Sequence, residues 1–392
     1  MEKVINLAKT KLNILLPLLI IVIIASSFFY FSETNKLKLQ NTSLSTLLDK
    51  TKKELNALKN QDQYKINQDL KDKMQKSEDT YNKSISSYEN LVDLRAQKQD
   101  TTDMDKLFAA VLSNLGKLNY ASAQAQLTDL NSQIDKAQQA LAQKAAPAGK
   151  TPPAATASNN APGSGYSYQS VKTDSGTFNV AIIAADLNST RVIVDTASDG
   201  TCKDNCPVLP LATYAARSGA FAAINGTFFC PAEYPSCAGK TGSFDTLLMN
   251  KNKVYFNSDN NVYSDIPLVY FTGNTMGVRG TSSNWGRDTG VDAVIANHPL
   301  YISGGNNNFG GSSEQKLNDV GTRTFVANKG NMVYIGIIYN ATSANAAAVL
   351  KTLGMDNALG LDQGGSTALW MNGSYLAGPG RNIPNALLFI RK

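Results

Sequence analysis

Asp362 lies in the run Leu361-Asp362-Gln363-Gly364-Gly365-Ser366-Thr367, a carboxylate followed by two adjacent glycines and two hydroxyls. Paired glycines let a backbone close on a ligand and turn its N–H groups toward an anion. A carboxylate beside such a corner can serve as base, nucleophile or acceptor for a sugar hydroxyl. Two arginines have comparable settings: Arg323 in Gly321-Thr322-Arg323-Thr324, and Arg381 in Gly378-Pro379-Gly380-Arg381-Asn382-Ile383-Pro384-Asn385. A planar, permanently charged guanidinium fork suits phosphate oxygens. Ala223-Ile224-Asn225-Gly226-Thr227-Phe228-Phe229 ends an apolar run in an Asn-Gly corner. Singly, each of these is ordinary: Gly-Gly-Ser is mostly a plain turn, and an arginine at a strand start mostly a surface ion pair.

Composition removes most rival chemistries. The chain has one histidine, His298, so histidine-rich zinc sites are excluded, and a serine hydrolase built on Ser366 would depend on that one imidazole. No metal or cofactor is called for. The net charge of +6 is spread thinly, with no segment above +2, so the dense basic field that nucleic acid needs is absent. The four cysteines, Cys202, Cys206, Cys230 and Cys237, lie in one stretch. Three disulfide pairings are open, local pairing being the simplest, and C-x3-C with C-x6-C is poor spacing for a zinc ribbon.

The elements that must position these residues follow from hydropathy and breakers. Residues 1–32 contain the uncharged run Ile14–Phe31, 18 residues long and closed by Phe28-Phe29-Tyr30-Phe31. At ~1.5 Å per residue it spans roughly 27 Å, enough for a bilayer core. It reads as a retained signal anchor with a cytoplasmic tip, which places the rest of the chain outside the cell. Ala25-Ser26-Ser27 offers the competing reading of a cleaved signal peptide. Residues 33–145 have no Pro, Cys or Trp and one glycine, Gly116, the composition of a helical stalk, either broken coiled coil or small bundle. Its best seam is Leu127, Leu130, Ile134, Ala137, Leu141. Weaker seams run through Leu44, Leu48, Leu55, Leu58 and through Tyr81, Ile85, Tyr88, Leu91, and Thr102–Asp105 reads as a capping box. The stalk is either a spacer or a homo-oligomerisation element. Residues 146–169, rich in Pro, Ala, Gly, Ser and Thr, read as a flexible tether. Residues 170–392 alternate strand-like runs with few helices, an α+β domain with a mixed sheet.

Taken in order, INGTFF, GTRTF, LDQGGSTAL and RNIPNALL resemble the phosphodiester glycosidase family, over essentially residues 170–392. That family includes a lysosomal enzyme that removes N-acetylglucosamine to uncover mannose 6-phosphate. The resemblance implies hydrolysis of a sugar-1-phosphodiester. It marks Asp362, Asn225 and Arg323 as the catalytic group, and Gly226, Thr324, Gly364, Gly365, Ser366, Thr367, Arg381 and Asn385 as the substrate pocket. Gln363 departs from it, standing where the family has the first glycine of a triplet. A side chain there narrows the pocket or adds a donor. Glu233, Asp245 and Asp319 are candidates for the second carboxylate that glycosidase chemistry ordinarily uses. The expected partner is a carbohydrate or sugar-phosphate. The alternative is a non-catalytic module that binds one.

Overall fold

The computed structural model describes residues 2–60, 62–96, 99–144, 155–259 and 264–392; for 2–18, 62, 135 and 138–144 the backbone alone is described. Four helices come first: α1 (Glu2–Lys59), α2 (Asp62–Ala96), α3 (Thr102–Gly116) and α4 (Tyr120–Lys144). The chain divides into two compact units, 1–76 and 77–392. Within the first, no described side chain from residue 19 onward is buried, and the expected seam leucines Leu44, Leu48, Leu55 and Leu58 are all exposed. The expected span Ile14–Phe31 lies partly outside the described side chains. Among the described residues, no helix is long and apolar enough to cross a membrane.

In the second unit the end of α2 packs with α3 and α4 as a small bundle around Leu91, Leu94, Val111, Leu127, Leu130 and Ile134. Polar pairs pin it, including Ser87 Oγ to Asn131 Oδ1 at 2.7 Å and Asn114 Nδ2 to Gln126 Oε1 at 2.8 Å. The break before Thr102 falls where the sequence places it, but the capping box does not form. Thr101 occupies the cap and donates its hydroxyl to Asp105, whose carboxylate also takes Arg95.

The remainder is α+β, but its strands make three sheets instead of one. The eight-stranded sheet runs Thr156–Ala157, Gly165–Thr173, Gly176–Asp186, Met332–Ala341, Gly321–Lys329, Asn357–Gly360, Leu300–Ser303, Asn306–Asn307. A five-stranded sheet runs Ser374–Ala377, Leu369–Met371, Ala222–Asn225, Asn385–Arg391, Thr190–Thr196; a second is centred on Ala293–Ala296. Among the described ladders only Thr156–Ala157 with Gly165–Thr173 is parallel. The expected tether is therefore shorter than 146–169. Gly165–Thr173 pairs along its whole length with Gly176–Asp186, and Tyr166 and Tyr168 pack on the core, because alternating aromatics give that segment a face to bury. Residues 145–154 lie outside the described residues.

Side-chain alternation explains the layering. Along Gly176–Asp186, Ala181, Ile183 and Ala185 enter a core shared by all three sheets. Val180, Ile182 and Ala184 enter a second core, covered by α7 (Ser343–Thr352) once α5 (Leu211–Arg217) and α6 (Gln315–Asn318) have been passed. The five-stranded sheet behaves likewise. Val192, Val194, Ile224 and Leu387 face the shared core, and Ile193, Ala223 and Leu388 pack on α5. The cysteines pair locally, Cys202–Cys206 and Cys230–Cys237.

Candidate active site

The site forms where the eight-stranded sheet meets the five-stranded one. Asn225 ends a central strand of one sheet, and Leu361-Asp362 leaves a central strand of the other. The peptide of Asp362 is fixed from both sides. Its N–H donates to Gly226 O at 2.8 Å, while its carbonyl accepts from Asn225 Nδ2 at 2.5 Å and from the Thr324 hydroxyl. Asn225 Oδ1 in turn accepts from Ala368 N at 3.1 Å. Asn385 clasps the other corner, accepting from Thr227 N at 2.9 Å and donating to Thr227 Oγ1 at 2.8 Å. Gly226 is obligatory there, because a Cβ would come within 1.9 Å of Asn385 Oδ1. Asn225, Thr324 and Asn385 are buried, with at most 1% exposed.

The scaffold aims Asp362 into a cavity of about 500 Å³ shared by Arg323, Arg381, Asp319, Lys316 and the Gly364–Thr367 turn. Burial pushes the Asp362 carboxyl up to about 7, against a Ser366 hydrogen bond, the Arg381 charge and the Gln363 N–H; the Asp93 charge adds to the rise. Burial also raises Asp319, opposed by Gln315 and the Arg323 charge. Arg323 follows a register shift at the start of its strand. Its Nη1 donates to Gln363 Oε1 and its Nη2 to the Asp319 carbonyl. Gln363, the departure from the family pattern, thus acts as an acceptor that holds an arginine. Gly365 admits the other arginine: a Cβ would meet Arg381 Nη2 at 2.3 Å. Arg381 is only 6% exposed, yet its Nε and Nη1, like Arg323 Nε, have no partner among the described residues.

One wall comes from α2. Asp93 pairs with Arg381 Nη2, accepts from the Tyr234 hydroxyl at 2.7 Å and from Gly365 N at 3.1 Å. One turn earlier, Glu89 pairs with Lys316 and accepts from the Ser236 hydroxyl.

The structure brings together Asp362, Arg323, Gly364, Gly365, Ser366, Thr367 and Arg381 on one cavity. Asn225, Gly226, Thr324 and Asn385 stand behind it as framework. Of the candidate second carboxylates, Asp319 lines the cavity, while Glu233 and Asp245 are exposed and do not. His298 packs against Phe228 with tilted rings, their centroids 5.0 Å apart. Sequence reasoning missed Lys316, Tyr234, Ser236, Asn297, Glu89 and Asp93. Asn297 accepts from Phe228 N at 3.0 Å and donates to Gly360 O at 2.9 Å, fixing a wall of the pocket. No motif surrounds any of them. The one available signal was the i,i+4 pairing of acids on a helix otherwise expected to face solvent.

The model of the phosphodiester glycosidase family matches residues 218–390. Among solved structures, the chain is similar to a hypothetical protein from Synechocystis, at 15% identity and TM-score 0.41 over 58% of this chain and 62% of that one. It is also similar to the catalytic domain of zebrafish N-acetylglucosamine-1-phosphodiester alpha-N-acetylglucosaminidase auto-inhibited by its pro-peptide, at 16% identity and TM-score 0.44 over 61% of this chain and 87% of that one. Among curated proteins none matches.

Proposed function

We propose, on the premise that residues 218–390 are a phosphodiester glycosidase domain, that the cavity hydrolyses a sugar-1-phosphodiester to a free sugar and a phosphomonoester. One observation carries the reading: a buried carboxyl whose pKa is pushed up to about 7 shares a cavity with a buried arginine, two of whose donors have no partner among the described residues. A phosphate is already a good leaving group, so protonation by an acid matters less than for an ordinary glycoside. Ionised Asp362 takes a proton from the water that attacks the anomeric carbon. The bond from that carbon to the phosphate oxygen breaks, and the phosphomonoester leaves with the bonding electrons. Arg381 and the Gly365 N–H receive its charge. Asp319 is the second carboxylate, Asn225 and Thr324 act by positioning the Asp362 peptide, and Asn385 holds the Gly226-Thr227 corner beside it.

The test is turnover of an aryl or nucleotide N-acetylglucosamine-1-phosphodiester by the full chain. Release of free sugar supports the reading. Tight binding without product supports the alternative, a sugar-phosphate binding module on a helical scaffold.

The same reading places the enzyme on extracellular or wall-associated phosphoglycans, tethered by Ile14–Phe31. Leu19–Ile24 and Phe28–Phe31 are 49–74% exposed, which suits lipid contact. Leu44, Leu48, Leu55 and Leu58 offer a face for a second copy. Extraction of the full chain by detergent but not by alkaline carbonate supports the tether. A mature chain beginning at Phe28 replaces it with a cleaved signal.

A further inference from the structure

The cations of the cavity are neutralised by the protein's own helix, in a pattern with a consequence for the ligand. We infer that the cavity holds two adjacent anion sites, and that Glu89 and Asp93 of α2 are built-in occupants standing where two anionic groups of the substrate bind. The inference rests on the proposed phosphodiester reading and extends it to the substrate's charge and to control of access.

Asp93 marks the first site. Its carboxylate takes a charged hydrogen bond from Arg381, a hydroxyl from Tyr234 and the Gly365 N–H, three donors converging as they would on phosphate oxygens. Arg381 keeps two further buried donors with no partner among the described residues, one acceptor set more than a carboxylate can satisfy. Glu89 marks the second site, between Lys316 Nζ and the Ser236 hydroxyl. Tyr234 joins the two. Lys316 Nζ lies 4.4 Å and the Arg381 guanidinium carbon 4.9 Å from the centroid of its ring. Two cations held on one aromatic ring repel each other unless anions accompany both. Residues four apart on a helix rise by about 6 Å, which sets the separation of the two anions. Glu89 and Asp93 are both buried, so the helix excludes ligand as long as it stays docked. A multiply charged phosphoglycan unit, with a second negative group next to the scissile phosphodiester, would displace it. A singly charged ligand matches only half of the contact.

The experiment uses the full chain and two probes, N-acetylglucosamine 1-phosphate and its 1,6-bisphosphate, with dissociation constants from calorimetry. Glu89→Gln with Asp93→Asn keeps side-chain shape and removes both charges. The double variant should bind both probes at least tenfold more tightly than the unmodified chain, and the bisphosphate more tightly than the monophosphate. Lys316→Met added to it should abolish that preference. In the unmodified chain, saturating bisphosphate should speed amide hydrogen exchange in residues 84–95, a readout that needs no variant to fold. Unchanged affinity in the double variant together with unchanged exchange would overturn the inference, and equal affinity for the two probes would remove the second site. Tighter binding without hydrolysis of an aryl phosphodiester would uphold the inference and reject the hydrolase reading.

Discussion

The proposed chemistry turns on Asp362, and its protonation sets the expected pH profile. As a base it must be ionised, so kcat/KM should climb as pH rises through about 7. The Asp93 charge contributes to the elevated value, so Asp93→Asn should move that limb to lower pH. A limb that stays in place would show that the two carboxylates do not sense each other. Asp362→Asn should lower kcat at least ~100-fold, about 2.7 kcal/mol of barrier. Undiminished turnover would remove Asp362 from the reaction. Arg323 poses a different question, since its two terminal nitrogens hold Gln363 and the Asp319 carbonyl. A lysine keeps the charge but cannot span both acceptors. Arg323→Lys should lower kcat/KM about tenfold, and unchanged kinetics would show that Gln363 and Asp319 keep their places without the fork.

Among the elements, α5 is fixed by a buried carboxylate and α7 by a cap. Asp195, 4% exposed, accepts from Arg217, Lys251 and Ser218 and thereby ties the strand Thr190–Thr196 to the end of α5. Burial alone would raise its pKa; those hydrogen bonds overcome the effect and leave it below 3.8. The stabilisation is therefore complete above about pH 4 and is lost as pH falls through the lower native value. Asp195→Asn leaves two cations facing a neutral amide and should destabilise the domain by about 3 kcal/mol, read by denaturant unfolding at pH 7. A loss under ~1 kcal/mol would mean the pair is solvated like a surface bridge. At α7, Thr342 accepts from Asn345 N at 3.1 Å and Asn345 returns the bond at 3.0 Å. Thr342→Ala should cost about 1 kcal/mol in the same assay.

At the scale of the molecule, the two units differ in what stabilises them. From residue 77 on, the chain has layered cores. The described part of unit 1–76 buries nothing. Helices owe most of their stability to packing on an apolar face, and the proposed tether and second copy would each supply one to α1. The helical circular dichroism of the full chain should increase on transfer from buffer to anionic vesicles. Equal signals in both, with a monomeric mass in buffer, would show that α1 is stable unaided.

Local patterns carried much of this without coordinates. Leu268–Thr272 and Ala293–Ala296 form where their β-branched and apolar runs fall, and Asn372-Gly373 turns with both φ positive because only such residues take that geometry. Local cysteine pairing also follows from nearness along the chain. Gly165–Thr173 was hidden by the Pro-, Gly- and Ser-rich stretch from which it emerges, and Leu300–Ser303 is only four residues long. The motif residues were visible, but their division into cavity and framework was not. An asparagine has the same chemistry whether it faces a sugar or, like Asn225, two backbone groups. The docking of α2 lay furthest out of reach. Glu89 and Asp93 look like any solvated acidic pair on a helix, and their cations are more than 200 residues away in sequence. Composition and periodicity determined the elements, whereas long-range charge pairing, which leaves no local trace, decided what fills the site.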